Sequence, residues 1–330
     1  MSKRTKTVCI AALLIAKISL SAFAQTAGIG DLQRAAGNFS STIAESLPLN
    51  ASLGLNWSDA HIGKLFPGLP PSLGVGVSVG ATSIELSDME RLADMLGFGG
   101  RLPNMDRMLF PGYTAEARIG GLFLPFDIGF KFGYLPSMEF NNFNINYFLI
   151  GGDIRYAILN RPFLPRISVA VGFNYMRGGI GGRIRGANLE FDHPDGSLSI
   201  EPDEIDLYWS TRSLDFRVQV SHTFLILTPY LGFGASYAWS RAGYEIRTRS
   251  NIDLNGVDVN DINNYLRSQG LETVNIRGSG ISSSINNSAF GFRVFGGMSF
   301  NLAVFRLDFT GMYSFLDNNY GASIGVRFQL

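Results

Sequence analysis

The sequence predicts an all-β fold, a transmembrane antiparallel up-and-down β-barrel of about ten strands that follows a short N-terminal helical segment. Three observations predict it. Apolar and polar residues alternate with period two in ten segments, as in strands whose two faces meet different surroundings. The links between these segments are alternately short and long, as in membrane barrels. Only 16% of the residues are charged, against about 25% in a soluble domain, yet beyond the N-terminus no apolar run approaches the roughly 20 residues of a spanning helix.

The first 24 residues have the features of an export signal. Lys3, Arg4 and Lys6 precede a short apolar stretch, and residues 22–24 (Ala-Phe-Ala) form the pattern that signal peptidase cleaves, here before Gln25. The alternative is an uncleaved membrane anchor, which is disfavoured because the apolar stretch is too short to span a bilayer.

Cleavage there changes the charge balance of the chain. It removes four basic residues and no acidic ones, which leaves 23 basic against 27 acidic residues. The mature chain therefore lacks the basic character of a nucleic-acid-binding protein. Cys9, the single cysteine, is removed as well, so neither a disulfide nor a cysteine-based metal site is expected. No cofactor is predicted.

Residues 25–71 are predicted to form a helical plug or leader segment. Five apolar residues have helical spacing, and Pro48 is expected to end the helix. The five are Leu32, Ala35, Ala36, Phe39 and Ile43. A plug in the lumen or at the periplasmic end is the preferred interpretation, and a loose leader is the other. A barrel of twelve strands that uses residues 49–66 is the competing architecture.

Residues 72–330 are predicted to form the barrel. The clearest strand covers residues 126–134, where Phe126, Ile128 and Phe130 alternate with Asp127 and Gly129. The ten predicted segments are 73–85, 113–122, 126–134, 147–158, 164–176, 214–221, 228–240, 289–300, 303–315 and 319–330. Their polar faces are rich in glycine and serine, whereas a soluble sandwich normally offers more charged residues to solvent.

Aromatic residues fall near the segment ends that precede or follow the long links. In a membrane barrel such residues form girdles on the lipid-facing side. They are Tyr113, Tyr134, Tyr147, Tyr175, Tyr237, Trp239, Tyr313 and Tyr320. This arrangement predicts that the long links lie outside the cell and that the short turns lie in the periplasm.

The last strand resembles a known signal. Residues 321–330 have apolar side chains at alternate positions back from the terminus, and this resembles the C-terminal assembly signal of bacterial outer-membrane β-barrel proteins. Those proteins usually end in Phe or Trp, whereas this chain ends in Leu330 with Phe328 two residues before it. At the level of class the chain also resembles uncharacterised barrel families of spirochaetes. The resemblance implies a bacterial outer-membrane location and insertion by the barrel-assembly machinery.

The polar faces of the predicted strands carry thirteen charged residues that would line the lumen. They are Glu116, Arg118, Asp127, Lys131, Asp153, Arg155, Arg166, Asp215, Arg217, Arg293, Arg306, Asp308 and Arg327. Several opposite charges stand two residues apart on one strand, which favours a paired ionic network, because unpaired charges there would be costly. The alternative is a selectivity ladder that lines a pore.

The long links hold two helix candidates and weak signs of chemistry. One helix is predicted from Ser87, and Asn260 is expected to cap the other. His193 stands among acidic residues, but their spacing matches no ligand motif, and a solvated acidic loop is the simpler interpretation. No serine has a nucleophile-elbow setting. Neither a metal site nor a catalytic site is therefore predicted, and the protein is not expected to be an enzyme.

The predicted function is a narrow or plugged channel or transporter for small or hydrophobic solutes. The alternative is a non-conducting surface barrel, structural or adhesin-like, whose long loops bind partners. An outer-membrane enzyme is less expected. The expected partners are outer-membrane lipid, the barrel-assembly machinery and a small or hydrophobic solute, with no nucleic acid. The sequence leaves open the strand count of ten or twelve, conduction, the solute and the oligomeric state.

Overall fold

The computed structural model describes most of the chain after the predicted export signal. The described residues are 29–60, 62–63, 72–85, 107–121, 125–140, 143–161, 163–183, 189–193, 196–200, 202–248, 252 and 258–330. The export signal with its cleavage site, His61 and the helix predicted from Ser87 lie outside them.

The described residues form two helices and thirteen strands. In chain order these are α1 (Ile29–Ala51), β1 (Leu73–Glu85), β2 (Arg107–Gly120), β3 (Phe126–Phe140), β4 (Phe143–Leu159), β5 (Arg166–Arg183), β6 (Leu189–His193), β7 (Gly196–Ile200), β8 (Pro202–Ser221), β9 (Leu227–Thr248), α2 (Val259–Ser268), β10 (Asn275–Arg277), β11 (Gly280–Leu302), β12 (Phe305–Ser314) and β13 (Tyr320–Gln329).

Ten of these strands form one closed antiparallel barrel, namely β1–β5, β8, β9 and β11–β13. The first strand closes the barrel against the last, from Gly74 opposite Gln329 to Thr82 opposite Gly321. Closure leaves no strand edge to be satisfied by water, which is what a sheet inside a bilayer requires. The predicted fold class is confirmed. The architecture has ten strands and not twelve, because residues 49–60 run inside the barrel.

The two ends of the barrel differ. At the short-turn end the strands are joined by residues 121–125, 160–165, 222–226 and 303–304. At the long-loop end they are joined by residues 86–106, 184–201 and 249–279 and by the shorter links 141–142 and 315–319. The long-loop end carries the hairpin β6–β7, helix α2 and strand β10.

An apolar belt surrounds the outside of the barrel. On β9 the outward side chains of Leu231, Phe233 and Trp239 are 50%, 59% and 45% exposed. Large apolar surfaces of this kind are not left in water, and the stretch from Pro229 to Trp239 has the length of a tilted spanning strand, which is about 9–11 residues. The belt is therefore the lipid-facing surface of a transmembrane barrel. No helix among the described residues is long and apolar enough to cross a membrane.

Strands β8, β9 and β11 have 20, 22 and 23 residues and continue past the belt at the long-loop end. There the pattern inverts, because Tyr244 and Ile246 point inward and are buried while Arg241 and Arg247 point outward. We call this part of the barrel the upper tier. The sequence pattern predicts loops here, because it assigns apolar side chains to lipid. That prediction is wrong, since the apolar side chains of the upper tier face α1.

Helix α1 fills the upper tier. Its buried face includes Phe39, Ile43 and Leu47, which share one apolar cluster with Tyr244 and Met176 of the wall. The predicted apolar helical face is confirmed for Ala35, Ala36, Phe39 and Ile43. Tyr147 belongs to the same cluster and is 6% exposed, so its predicted lipid-facing position is wrong.

Two predicted helix boundaries are wrong. Helix α1 continues past Pro48 to Ala51. A proline removes only its own backbone N–H donor, and the Pro48 carbonyl still accepts from the backbone N–H of Ser52. Helix α2 is capped by Asp258 and not by Asn260. The Asp258 carboxylate accepts from the backbone N–H of Asn260 at 2.9 Å, as a helix N-cap does.

Candidate functional site

The chain descends through the lumen after α1. Helix α1 begins at the long-loop end, where Gln33 donates to the Ser283 hydroxyl at 2.8 Å. The segment after the helix reaches the short-turn end, where the backbone N–H of Ile62 donates to Asp127 at 2.9 Å. We call residues 51–60 together with Ile62 the anchor segment. It runs along the axis of the membrane-spanning part of the barrel.

The thirteen predicted lumen charges all lie on inward positions of their strands. Ten are buried, and Arg166, Arg217 and Arg306 are half-buried. Arg166 is the first residue of β5, at the short-turn end. The other twelve come together around the anchor segment in two ionic networks and two separate contacts.

The first network is a chain of seven alternating charges. Its members are Arg155, Asp127, Arg118, Asp153, Arg217, Asp215 and Arg293. The Arg155–Asp127, Arg118–Asp153 and Arg293–Asp215 contacts are 2.7, 2.8 and 2.7 Å. Most of these ion pairs join residues of different strands, because nearby strands place their inward side chains close together. Within this network the pairing predicted along one strand is present for Arg217 and Asp215, at 3.5 Å.

The second network contains a residue of the anchor segment. Asp59 accepts from Arg306 at 2.6 Å and from Arg327 at 2.7 Å, and Arg327 also contacts Asp308 at 2.7 Å. The Asp59 side chain is 6% exposed. The two guanidiniums compensate for the cost of burying the charge of this carboxylate.

The anchor segment also offers its backbone to the wall. The Lys131 ammonium donates to the carbonyls of Ala51 and Leu53, at 2.7 Å each. Gln219 donates to the carbonyls of Trp57 and Ser58 at 3.0 and 3.1 Å. An extended segment away from a sheet has unpaired backbone groups, and here polar side chains of the barrel pair with them.

Glu116 and Trp57 form the centre of the anchor. One Glu116 oxygen accepts from the Leu55 N–H at 2.8 Å and from the Trp57 indole N–H at 2.7 Å. The Trp57 ring lies between two guanidiniums, with Arg327 at 4.5 Å and Arg118 at 5.5 Å from the ring centre, which is cation–π distance. These contacts fix the side chain and the backbone together.

Two glycines make this packing possible. Gly74 of β1 faces the Trp57 ring, and a Cβ on it would lie 2.6 Å from the indole. Gly54 has a φ of +80°, and a Cβ there would lie 2.6 Å from the Thr114 hydroxyl. Because glycine has no side chain, it adopts this conformation without strain and approaches the wall this closely.

Little space remains beside the anchor segment. The cavity between Ser52, Gly54, Lys131 and Asp215 has a volume of about 10 Å³, and a single water needs about 10–15 Å³. This cavity therefore holds at most a water molecule and has no room for a solute.

Sequence reasoning missed Asp59 as a partner of the lumen charges. A signal was present, because the predicted lumen contains five carboxylates against eight cations. Buried cations need partners, so the imbalance implies acceptors from outside the strands. The anchor segment supplies them through Asp59 and its carbonyl groups.

The long loops give no such geometry within their described residues. No group of three or more His, Cys, Asp or Glu side chains in the described part of the chain could hold a metal ion. His193 is the last residue of β6, and its side chain lies outside the described features. In the loop before α2, Asp258 is used as the helix cap.

A family model described as Lsa36-like matches residues 103–330, and the chain belongs to this family. No curated protein matches it. The outer membrane protease OmpT of Escherichia coli is 10% identical, with 79% of this chain and 98% of that one covered and a TM-score of 0.42. The translocator domain of the autotransporter NalP of Neisseria meningitidis is 9% identical, with 88% and 99% covered and a TM-score of 0.37. The attachment invasion locus protein Ail of Yersinia pestis is 12% identical, with 79% and 99% covered and a TM-score of 0.26.

The closed ten-stranded barrel, its apolar belt and its inward charges together define the class. The chain is an outer-membrane β-barrel protein.

Proposed function

We propose that this protein is a plugged, non-conducting outer-membrane barrel that presents its long-loop end at the cell surface for binding of a macromolecular partner. The observation that supports this proposal most strongly is the filled lumen. The anchor segment contacts both ionic networks, through Ile62 and Asp59, and the cavity beside it has a volume of about 10 Å³.

The upper tier supports the same proposal. Ile262 and Leu266 of α2 are buried in the apolar cluster that also contains Phe39 and Ile43 of α1. Helix, wall and part of the longest loop therefore share one core. A rigid loop surface loses little conformational entropy when it binds a partner, whereas a gate would have to break this core in order to open.

The test is single-channel conductance of the mature protein, residues 25–330, refolded into a planar bilayer. A variant that lacks residues 25–57 and the Asp59→Asn variant are measured beside it, and heat-modifiable migration in gels confirms that each barrel is folded. We expect the full chain to be silent and the deletion variant to conduct, with a preference for anions, because the wall has more cations than carboxylates.

Conductance steps of the full chain, or its uptake of small solutes into liposomes, would exclude the non-conducting barrel. They would favour a second candidate, a channel whose plug moves. One observation favours that candidate, since Asn56, Ser58 and Asp59 make polar contacts that water could replace during opening.

Partner binding is tested on cells that display the protein, with immobilised host matrix proteins as the probe. We propose that replacement of residues 258–277 by a glycine-serine linker lowers the adhesion of these cells, while conductance stays absent. Equal adhesion of the two strains would argue against this loop as the binding surface. That the protein is not an enzyme stays a prediction, tested by peptide hydrolysis with and without His193→Ala.

A further inference from the structure

Three arginines face outward at the border between the apolar belt and the upper tier. They are Arg177 of β5, Arg212 of β8 and Arg241 of β9, and all three are exposed. Toward the membrane centre their own strands continue with outward Phe173 and Leu214. The arginines therefore lie at the depth where a bilayer changes from hydrocarbon to headgroups.

The strand register places these side chains together. Arg177 is opposite Ser210, and Ser210 is opposite Arg241, so the two arginines share one row across three strands. Their backbones are about 10 Å apart, since neighbouring strands are about 4.8 Å apart. Arg212 lies between them, two residues closer to the membrane centre.

Neutral groups hold the three guanidiniums in place. Arg177 lies over the Phe148 ring at 5.3 Å, and Arg212 lies over the Tyr175 ring at 5.8 Å. Arg241 donates to the Ser284 hydroxyl at 3.0 Å. None of the three makes an ion pair with a described residue.

Arg247, which also faces outward on β9, is different. It contacts Glu204, Asp206 and Glu245 at 3.2, 2.8 and 3.1 Å. Carboxylates therefore neutralise the arginine that lies farther from the membrane, whereas those at the headgroup level keep their charge free for another anion.

A groove of about 650 Å³ opens beside Arg177 and Arg241 on the outer wall. Its lining includes Tyr134, Phe148, Arg177, Tyr208 and Arg241. Aromatic rings and guanidiniums on one surface suit a ligand with an anionic head and an apolar tail. Arginine binds phosphate oxygens with two parallel hydrogen bonds, and tyrosine is favoured at the membrane interface.

We propose that Arg177, Arg212 and Arg241 form a binding site for the phosphate-bearing headgroup of a lipid in the membrane leaflet at the long-loop end. The acyl chains of this lipid lie against the apolar belt below the site. The site is independent of the plugged lumen and of the proposed loop partner.

The test is native mass spectrometry of the full mature chain released from detergent micelles with added phosphatidic acid. The same measurement with phosphatidylcholine reports neutral-headgroup binding, and an excess of inorganic phosphate reports competition by the free anion. The test variant is Arg177→Gln/Arg212→Gln/Arg241→Gln. The matched control is Arg161→Gln/Arg267→Gln/Arg277→Gln, which loses the same charge at exposed positions away from the groove.

We expect the wild type and the control to retain phosphatidic acid. We expect the test variant to retain it about tenfold less, because charge-assisted hydrogen bonds to the phosphate are lost. Equal retention by wild type and test variant overturns the proposal, and so does an equal loss in the control or displacement by inorganic phosphate. If the triple variant does not fold, Arg212→Gln alone is measured, and unchanged retention there also overturns it.

Discussion

Replacement of Asp59 by Asn should loosen the plug without unfolding the barrel. In the native structure the Asp59 carboxylate contacts Arg306 and Arg327, whose side chains are 20% and 1% exposed. Removal of one partner from a buried ion pair costs about 3–5 kcal/mol. The cost here is below that range, about 2–3 kcal/mol, because Arg327 keeps Asp308 at 2.7 Å and Arg306 can turn toward water.

The assay is hydrogen exchange of the backbone amides of the anchor segment. The amides of Leu55 and Ile62 donate to Glu116 and Asp127 and exchange only when the segment leaves the wall. If the free energy that holds the anchor segment on the wall falls by about 2–3 kcal/mol, these amides exchange about 30- to 150-fold faster. Amides of the barrel strands should keep their wild-type rates.

The control is Asp31→Asn, the same chemical change on the same N-terminal segment. Asp31 pairs with Arg34 at 2.9 Å, but the two side chains are 64% and 49% exposed, and such surface pairs contribute little. We expect a change of less than about twofold in exchange for this variant. If Asp59→Asn changes the rates no more than Asp31→Asn does, the view of Asp59 as an anchor is refuted.

Three further predictions concern the same segment. Trp57→Ala should lower the free energy of anchoring by about 3–5 kcal/mol. Trp57→Phe should lower it less, because the phenyl ring still contacts the guanidiniums, and hydrogen exchange of the anchor segment compares the two variants. The plug should stay docked from pH 8 to pH 5, since an aspartate carboxyl, whose ordinary pKa is about 3.9, is ionised over this range and keeps its contacts with Arg306 and Arg327; faster exchange already at pH 6 would contradict this. In intact cells a membrane-impermeant thiol reagent should label Asp31→Cys, because position 31 is exposed at the long-loop end. It should not label Ser58→Cys, because position 58 is fully buried. Labelling of both variants or of neither would contradict the proposed orientation.

The sequence predicts the membrane-spanning part of the barrel well because two solvents act on it there. From Pro229 to Trp239 every outward residue of β9 except Ala235 is large or rigid and apolar, and this pattern is typical of a strand between lipid and a polar lumen. Above Trp239 the same strand continues with its apolar residues on the other face. A rule that assigns apolar side chains to lipid must end the strand there, as the prediction did.

The lumen charges were predictable as a set but not as pairs. Alternation along each strand places Asp153 and Arg155 on the inner face, yet their partners depend on which strands are neighbours and on their register. Arg118 contacts Asp153 from two strands away because Gly129 of the intervening strand has no side chain between them. No spacing within a single strand contains that information.

The excess of cations in the wall bears on how conduction should be interpreted. Lys131 and Gln219 donate to backbone carbonyls of the anchor segment, and Arg306 donates to Asp59. The wall is therefore complementary to its plug and not to a column of hydrated ions, since buried cations without these partners would be costly. A variant without the plug exposes that excess charge and should conduct anions whatever the protein does in the cell. Only the full chain, with the anchor segment present, can therefore distinguish a transporter from a closed barrel.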